Sequence, residues 1–164
     1  MKSLALLLLT FAVASCDRPA AKQRNTAAAP SIALTGRVTD AADIIDPALE
    51  ARLTARLEAL EQRAGHQFVV VTASSLNGRG ISSFTRELAN DWGIGRAKIN
   101  DGVVLLIAPN ERKVRIAVGD GLAKALTNAA CQQIIDRDMI PRFKVGDLPG
   151  GIEAGADALI ARLQ

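Results

Sequence analysis

The sequence predicts an α/β fold, a three-layer α/β/α sandwich on a small mixed sheet, over residues 37–164. Two short runs, QFVVVTA at 67–73 and VVLLIA at 103–108, are apolar on both faces, as strands in the middle of a buried sheet are. In a third run, RKVRIAV at 112–118, Val114, Ile116 and Val118 are expected to face the core and Lys113 and Arg115 the solvent, which is typical of an edge strand protected by charge. Segments with helical periodicity precede, separate and follow these runs, so helices are expected on both faces of the sheet.

The N-terminus has the layout of a bacterial lipoprotein export signal. Lys2 precedes an apolar run over residues 4–13, which is too short to span a bilayer because a spanning helix needs about 20 residues. The run ends in Val-Ala-Ser-Cys at 13–16, which resembles the lipobox, whose cysteine is lipidated and becomes the new N-terminus. We therefore expect a signal peptide at 1–15 and a lipid anchor on Cys16. The alternative is an ordinary cleaved signal with a chance cysteine.

The segment after Cys16 has the composition of a flexible tether. Alanine, proline and polar residues dominate residues 17–36, and no apolar periodicity is present. The predicted organisation is a lipidated cysteine and tether at 16–36 and one folded domain at 37–164, on the periplasmic side of a bacterial membrane. Asp17 resembles the inner-membrane retention signal of enterobacterial lipoproteins. Cys131 would then be the one other cysteine, and we expect it to be buried.

The basic excess of the chain belongs to its N-terminal segment. Residues 1–36 hold 4 of the 20 basic and 1 of the 17 acidic side chains, so residues 37–164 hold 16 of each. A neutral domain lacks the basic surface that nucleic acid binding requires, so no nucleic acid partner is expected. Aromatic residues make up only 3% of the chain, which argues against an aromatic platform for sugars or bases.

Capping signals mark the first two helices. Asp46 is suited to the N-cap of a helix, with Pro47 at its first position and Gly65 just past its end. The apolar residues between them recur at helical spacing, at Leu49, Leu53, Leu57 and Leu60. Either Ser82 or Ser83 is expected to cap a second helix, between the two buried strands.

Two further helices are predicted after the edge strand. One begins after Thr127 and runs to about Met139, where Pro141 is expected to prevent its continuation. The last begins near Asp147 and carries apolar residues at Ile152, Ala156, Leu159, Ile160 and Leu163. In this order of elements the first two strands are parallel, joined by a right-handed crossover, and the third is antiparallel to the second.

This topology brings polar loops together at one edge of the sheet. The segment Gly-Asp-Gly at 119–121 should lie beside Asn-Asp-Gly at 100–102, and His66, just before the neighbouring strand, should lie at the same edge. Asp101, Asp120 and Asn100 could supply the carboxylate and amide oxygens that Ca²⁺ or Mg²⁺ prefers. The alternative is that both segments are turns that use Asp, Asn and Gly for their conformational tolerance.

No complete catalytic motif is present, so the catalytic residues are unknown. Ser74 and Ser75 follow the first strand, where α/β proteins often bind ligands, but they lack a G-x-S-x-G context. The segment 131–137 matches the Cys-x5-Arg string of cysteine phosphatases, but it has helical periodicity and no glycine-rich phosphate loop. His66, the one histidine of the sequence, is more typical of a loop residue that makes a single hydrogen bond than of a catalytic residue.

Several motifs, in order along the chain, resemble the TPM domain family. They are GRVTD at 36–40, WGIG at 92–95, NDG at 100–102, VRIAVGDGL at 114–122, and a pattern over 134–147. The resemblance implies an α/β/α sandwich outside the cytoplasm, commonly next to a membrane anchor. Plant members are linked to photosystem II repair and have been described as acid phosphatases, and an animal member is an accessory to acetylcholine receptors. Some members bind Ca²⁺.

The resemblance implies Ca²⁺ or another divalent cation as a cofactor. Its first motif adds Asp40 to the candidate ligands Asp101, Asp120 and Asn100. The usual Gly-Tyr-Gly-Leu-Glu of the family is Gly-Asp-Gly-Leu-Ala at 119–123, and loss of that Glu argues against a phosphatase. We therefore predict an accessory or binding module for a membrane or envelope protein complex, acting in assembly, repair or turnover. The alternative is a low-activity phosphatase that depends on a divalent metal.

Overall fold

A computed structural model describes residues 32–164 of the chain. The predicted signal peptide at 1–15, the lipidated Cys16 and the tether up to residue 31 lie outside the described residues. Within residues 32–164, none of the helices combines the length and the hydrophobicity that crossing a membrane would require.

A four-stranded mixed sheet lies at the centre of the fold. Its strands are β1 (Val38–Asp40), β2 (Gln67–Thr72), β3 (Gly102–Ala108) and β4 (Lys113–Val118), in the order β1-β2-β3-β4. β1, β2 and β3 are parallel, and β4 is antiparallel to β3. The predicted pairing of the three longer strands is confirmed. The sequence missed β1, because a strand of three residues shows too little alternation to be recognised.

The described residues form five α-helices: α1 (Pro47–Ala64), α2 (Ile81–Asp91), α3 (Asn128–Ile134), α4 (Ile140–Lys144) and α5 (Leu148–Leu163). Asp46 caps α1 as predicted, since its carboxylate accepts the N–H groups of Ala48 and Leu49 at 3.0 Å. The N-cap of α2 is Gly80, not a serine as predicted. Ser83 lies in the first turn of the helix, where its hydroxyl donates to the carbonyl of Gly80 at 2.8 Å.

The helix that begins after Thr127 continues past Pro141, contrary to the prediction. Ile135–Met139 form a π-helical turn between α3 and α4, in which the N–H of Ile140 donates to the carbonyl of Ile135. In a regular α-helix the ring of Pro141 would clash with the carbonyl four residues earlier. The wider π turn changes the position of that carbonyl, so the proline is accommodated inside the helical segment.

Helices cover both faces of the sheet, which confirms the three-layer α/β/α sandwich. On one face, α1, α3 and α5 pack on a cluster that includes Phe68, Val70 and Leu105. On the other face, α2 packs on the alternate strand residues, among them Val69 and Val71. Both clusters and every strand pairing lie within residues 32–164, so the described part has a core of its own.

Cys131 lies in α3 with its thiol buried and free, as predicted. Burial raises the pKa of the Cys131 thiol, so it holds little of the reactive thiolate near neutral pH. We expect iodoacetamide to alkylate the chain of residues 17–164, whose one cysteine is Cys131, at least about tenfold more slowly when folded than in guanidinium. Equal rates, measured by mass spectrometry over time, would contradict the buried position.

Candidate functional site

The α2–β3 loop and the segment after β4 meet at the edge of the sheet where β2 and β3 begin and β4 ends, and we call this place the loop junction. It comprises residues 93–96, 99–102 and 119–121. The N–H of Gly119 donates to the carbonyl of Gly102 at 2.8 Å, and the N–H of Gly121 donates to the carbonyl of Asn100 at 2.9 Å. The predicted proximity of the two glycine-containing segments is therefore confirmed.

Asp101 is the buried acid of the loop junction, with a side chain that is only 1% exposed. One carboxylate oxygen accepts the backbone N–H of Arg96, and the other accepts its Nε–H, each at 2.9 Å. His66 Nδ1 lies 3.1 Å from the second oxygen, so the histidine and the acid are brought together as the topology predicted. The Arg96 guanidinium holds the pKa of Asp101 far below its usual range, which keeps the carboxylate ionised.

Asn100 and Asp120 lie at the surface of the loop junction. The Asn100 amide donates to the Asp120 carboxylate at 3.4 Å, and Asn100 has a positive φ of 52°. Asp120 opens a short 3₁₀ turn. Asp101 faces inward toward Arg96, so a cation that used it together with Asp120 would have to break the contacts with Arg96. The residues at this edge therefore do not fit a divalent-cation site built on both acids.

Asp40 lies at the opposite edge of the sheet, because it pairs with Thr72 at the carboxyl ends of β1 and β2. Its carboxylate accepts the N–H groups of Ile44 and Ile45 at 2.9 and 2.8 Å, and also the hydroxyl of Thr72. The four candidate ligands are thus not brought together. Residues 32–164 contain no group of three or more His, Cys, Asp or Glu side chains placed to hold a metal ion, and Ca²⁺ binding stays a prediction.

A cavity of ≈ 580 Å³ lies at this carboxyl edge, and Asp40, Ser74 and Ser75 are among the residues that line it. The Ser75 hydroxyl donates to Glu111 at 3.2 Å, and the N–H of Leu76 donates to the same oxygen at 2.7 Å. The hydrogen bond from Leu76 lowers the pKa of Glu111. The serines therefore belong to a loop that the β3–β4 turn holds in place. Sequence reasoning missed Glu111, because it stands in an ordinary turn.

Comparison with known proteins identifies the family. The sequence pattern of the TPM domain matches residues 38–162. The chain belongs to the TPM domain family. The solution structure of the N-terminal domain of a protein from P. gingivalis is 34% identical in sequence, with a TM-score of 0.74 over 79% of this chain and 82% of that one.

Two further solution structures share the fold of this TPM domain at lower identity. The N-terminal domain of the cg2496 protein from Corynebacterium glutamicum is 18% identical, with a TM-score of 0.61 over 94% of this chain and 88% of that one. The BA42 protein from Bizionia argentinensis is 12% identical, with a TM-score of 0.63 over 74% of this chain and 82% of that one. A search of curated proteins found no match.

An apolar groove of ≈ 570 Å³ lies on this TPM domain between α4 and the β3–β4 turn, and we call it the α4 groove. Its larger apolar lining residues are Ile107, Val114, Ile140, Phe143 and Leu148. Three basic residues, Arg112, Lys113 and Lys144, complete its border, and no acidic side chain of residues 32–164 lines it. Val145 follows Lys144 directly and is 81% exposed. The groove thus combines an apolar surface with a basic border.

Proposed function

We propose that this TPM domain protein is a lipid-anchored extracytoplasmic module that binds a membrane or envelope protein complex as an accessory. Cys16 would hold it on the periplasmic side of a bacterial membrane. The lipobox-like sequence at 13–16 and the Ala- and Pro-rich segment that follows support the anchor and its reach. The observation that carries the binding role is the α4 groove with the exposed Val145 beside it.

The turn after α4 holds Val145 in its exposed position. The N–H of Gly146 donates to the carbonyl of Phe143 at 3.1 Å, and the N–H of Asp147 donates to the carbonyl of Arg142 at 3.0 Å. A single exposed apolar residue is ordinary on a protein surface. Val145 differs because its backbone is fixed and it adjoins an apolar groove. A fixed apolar group loses little conformational entropy on binding, so it is suited to dock into a partner.

The charge around the α4 groove indicates the chemistry of the partner. Arg112, Lys113 and Lys144 make no salt bridge with any of residues 32–164, although the charge of Lys113 acts on the nearby Glu111, which does not line the groove. Arg142, in contrast, has Asp147 at 3.3 Å. A protein segment that carries acidic side chains beside apolar ones would complement this border. The domain is neutral as a whole, so the attraction would be local to the groove.

Negative charge placed at the α4 groove is expected to weaken partner binding about tenfold. The full chain, fused at its C-terminus to a proximity-labelling enzyme, would be expressed in intact cells as wild type and as Val145→Glu/Lys144→Glu. We expect quantitative mass spectrometry to show labelling of membrane or envelope proteins falling about tenfold in the double variant, because a loss of about 1.4 kcal/mol in binding is a factor of ten.

The matched control is Leu34→Glu/Lys124→Glu, which makes the same change of charge at exposed positions outside the groove. It should keep the wild-type labelling pattern. A Cys16→Ala variant tests the anchor separately, since it should lose the lipid from its N-terminal peptide. Labelling that is equal in all variants would overturn the binding role, and an unlipidated wild-type N-terminus would overturn the anchor.

A further inference from the structure

A second, polar pocket of ≈ 360 Å³ lies between α2 and β4. Ser82, Arg86 and Asn90 follow one another at intervals of four residues, so they share one side of α2. Arg115 and Ala117 of β4 alternate onto the sheet face that α2 covers, and they line the same pocket. The pocket shares no lining residue with the α4 groove.

Arg115 contributes a buried hydrogen-bond donor that has no acceptor among residues 32–164. The alternation of β4 predicted that Arg115 would face solvent, but α2 extends over this strand and the residue is partly buried. Its Nε atom is buried without a hydrogen-bond partner among residues 32–164. A buried N–H without an acceptor costs about 1–3 kcal/mol, so native proteins nearly always provide a partner. This donor therefore indicates a group that residues 32–164 do not supply.

Arg86 places a second guanidinium in the same pocket. It makes no hydrogen bond or salt bridge with the described residues 32–164. Two like charges that share a small pocket repel each other, and an anion between them would relieve the repulsion. Asp120, the one acidic residue among residues 32–164 that lines the pocket, accepts a hydrogen bond from Asn100 at 3.4 Å and makes no salt bridge with either arginine.

The remaining polar groups of the pocket also suit an oxyanion. The amides of Asn90 and Asn128 and the hydroxyl of Ser82 can all donate hydrogen bonds. Guanidinium groups bind carboxylate and phosphate oxygens in a planar, often bidentate geometry. A pocket of this volume accommodates a small molecule.

We propose that the pocket between α2 and β4 binds the carboxylate or phosphate group of a small polar molecule, with Arg86 and Arg115 as its two cationic ligands. The anion would accept the unpartnered Nε–H of Arg115, and the Arg86 guanidinium would balance its charge. This site lies on a different surface from the α4 groove, so it does not depend on the accessory role proposed above.

The test is an NMR titration of ¹⁵N-labelled residues 17–164, which contain the whole described fold. Sodium phosphate and sodium succinate are added in separate arms at constant ionic strength, against sodium chloride alone. We expect the Nε–H resonance of Arg115 to shift saturably with at least one of the two anions and to stay unmoved in chloride. The arm that saturates at lower concentration identifies the preferred oxyanion.

Variants then assign the site to the two arginines. Arg115→Gln and Arg86→Gln should each weaken the saturable binding at least about tenfold, as expected when a charge-assisted hydrogen bond is lost. Arg137→Gln, at an exposed arginine outside the pocket, should leave it unchanged. Arg86 is exposed on α2, so its variant should fold even if the Arg115 variant does not. No saturable shift with either anion, or equal affinity in Arg86→Gln, would overturn the proposal.

Discussion

Replacing Gly119 with alanine is expected to lower the free energy of unfolding by more than about 3 kcal/mol, because no space exists for a side chain there. A Cβ atom built on Gly119 would lie 2.1 Å from the carbonyl oxygen of Asn100. That oxygen belongs to the backbone and accepts the N–H of Gly121 at 2.9 Å, so it cannot turn aside as a flexible side chain could. Relief would require the two segments of the loop junction to separate, which breaks their hydrogen bonds.

Urea denaturation of residues 17–164, followed by circular dichroism, measures this effect. Gly36→Ala is the matched control, because its Cβ would have nothing nearer than the carbonyl oxygen of Val38 at 3.9 Å. The control should stay within about 0.5 kcal/mol of wild type, as surface substitutions usually do. A Gly119→Ala protein that unfolds at the wild-type urea concentration would show that the loop junction is not closely packed.

The sequence predicted the proximity of these loops but not the reason for their glycines. Topology alone places 119–121 beside 100–102, because β4 runs antiparallel to β3. Glycine in such a segment suggests a need for unusual dihedral angles. Gly119, however, has a φ of −68°, which any residue adopts. What the position requires is the absence of a side chain, and only the distance between two backbones reveals that requirement.

Charged partners were the least predictable part of the site. Asp101 was recognised as an acid at the sheet edge, but its orientation depends on Arg96, five residues away in an irregular loop. No periodicity relates two residues of a loop, and Arg96 in the sequence resembles any surface cation. The signal that could have found it is physical: an acid at the start of a central strand is buried, and a buried carboxylate needs a donor.

Arg115 shows how the layers of a fold limit predictions from alternation. The pattern of β4 correctly placed Val114, Ile116 and Val118 toward one core, and β4 is an edge strand as predicted. It also assigned Arg115 to solvent, because the opposite face of an edge strand is commonly open. Whether a helix covers that face depends on the path of α2 across the sheet. That path cannot be predicted from the sequence of β4 alone.

Asp101→Asn is expected to lower the free energy of unfolding by about 2–4 kcal/mol at neutral pH, because it weakens a buried, charge-assisted network. The carboxylate accepts hydrogen bonds from the backbone and the guanidinium of Arg96 and lies within hydrogen-bond distance of His66. An asparagine offers one acceptor oxygen in place of two, and its amide group would face donors. Asp120→Asn, at an exposed neighbour in the loop junction, should change the stability by no more than about 0.5 kcal/mol.

The pH dependence separates this electrostatic role from simple packing. The folded-state pKa of Asp101 is depressed, so its contribution is fully present above the unfolded value of about 3.9 and is lost as the pH falls toward the lower folded pKa. The difference in unfolding free energy between wild type and Asp101→Asn should therefore be constant from about pH 5 to about pH 7, a range that lies about a unit or more above the unfolded pKa. The difference should shrink below about pH 4. A difference that stays the same at pH 3 as at pH 7 would mean that the ionised carboxylate does not stabilise the loop junction.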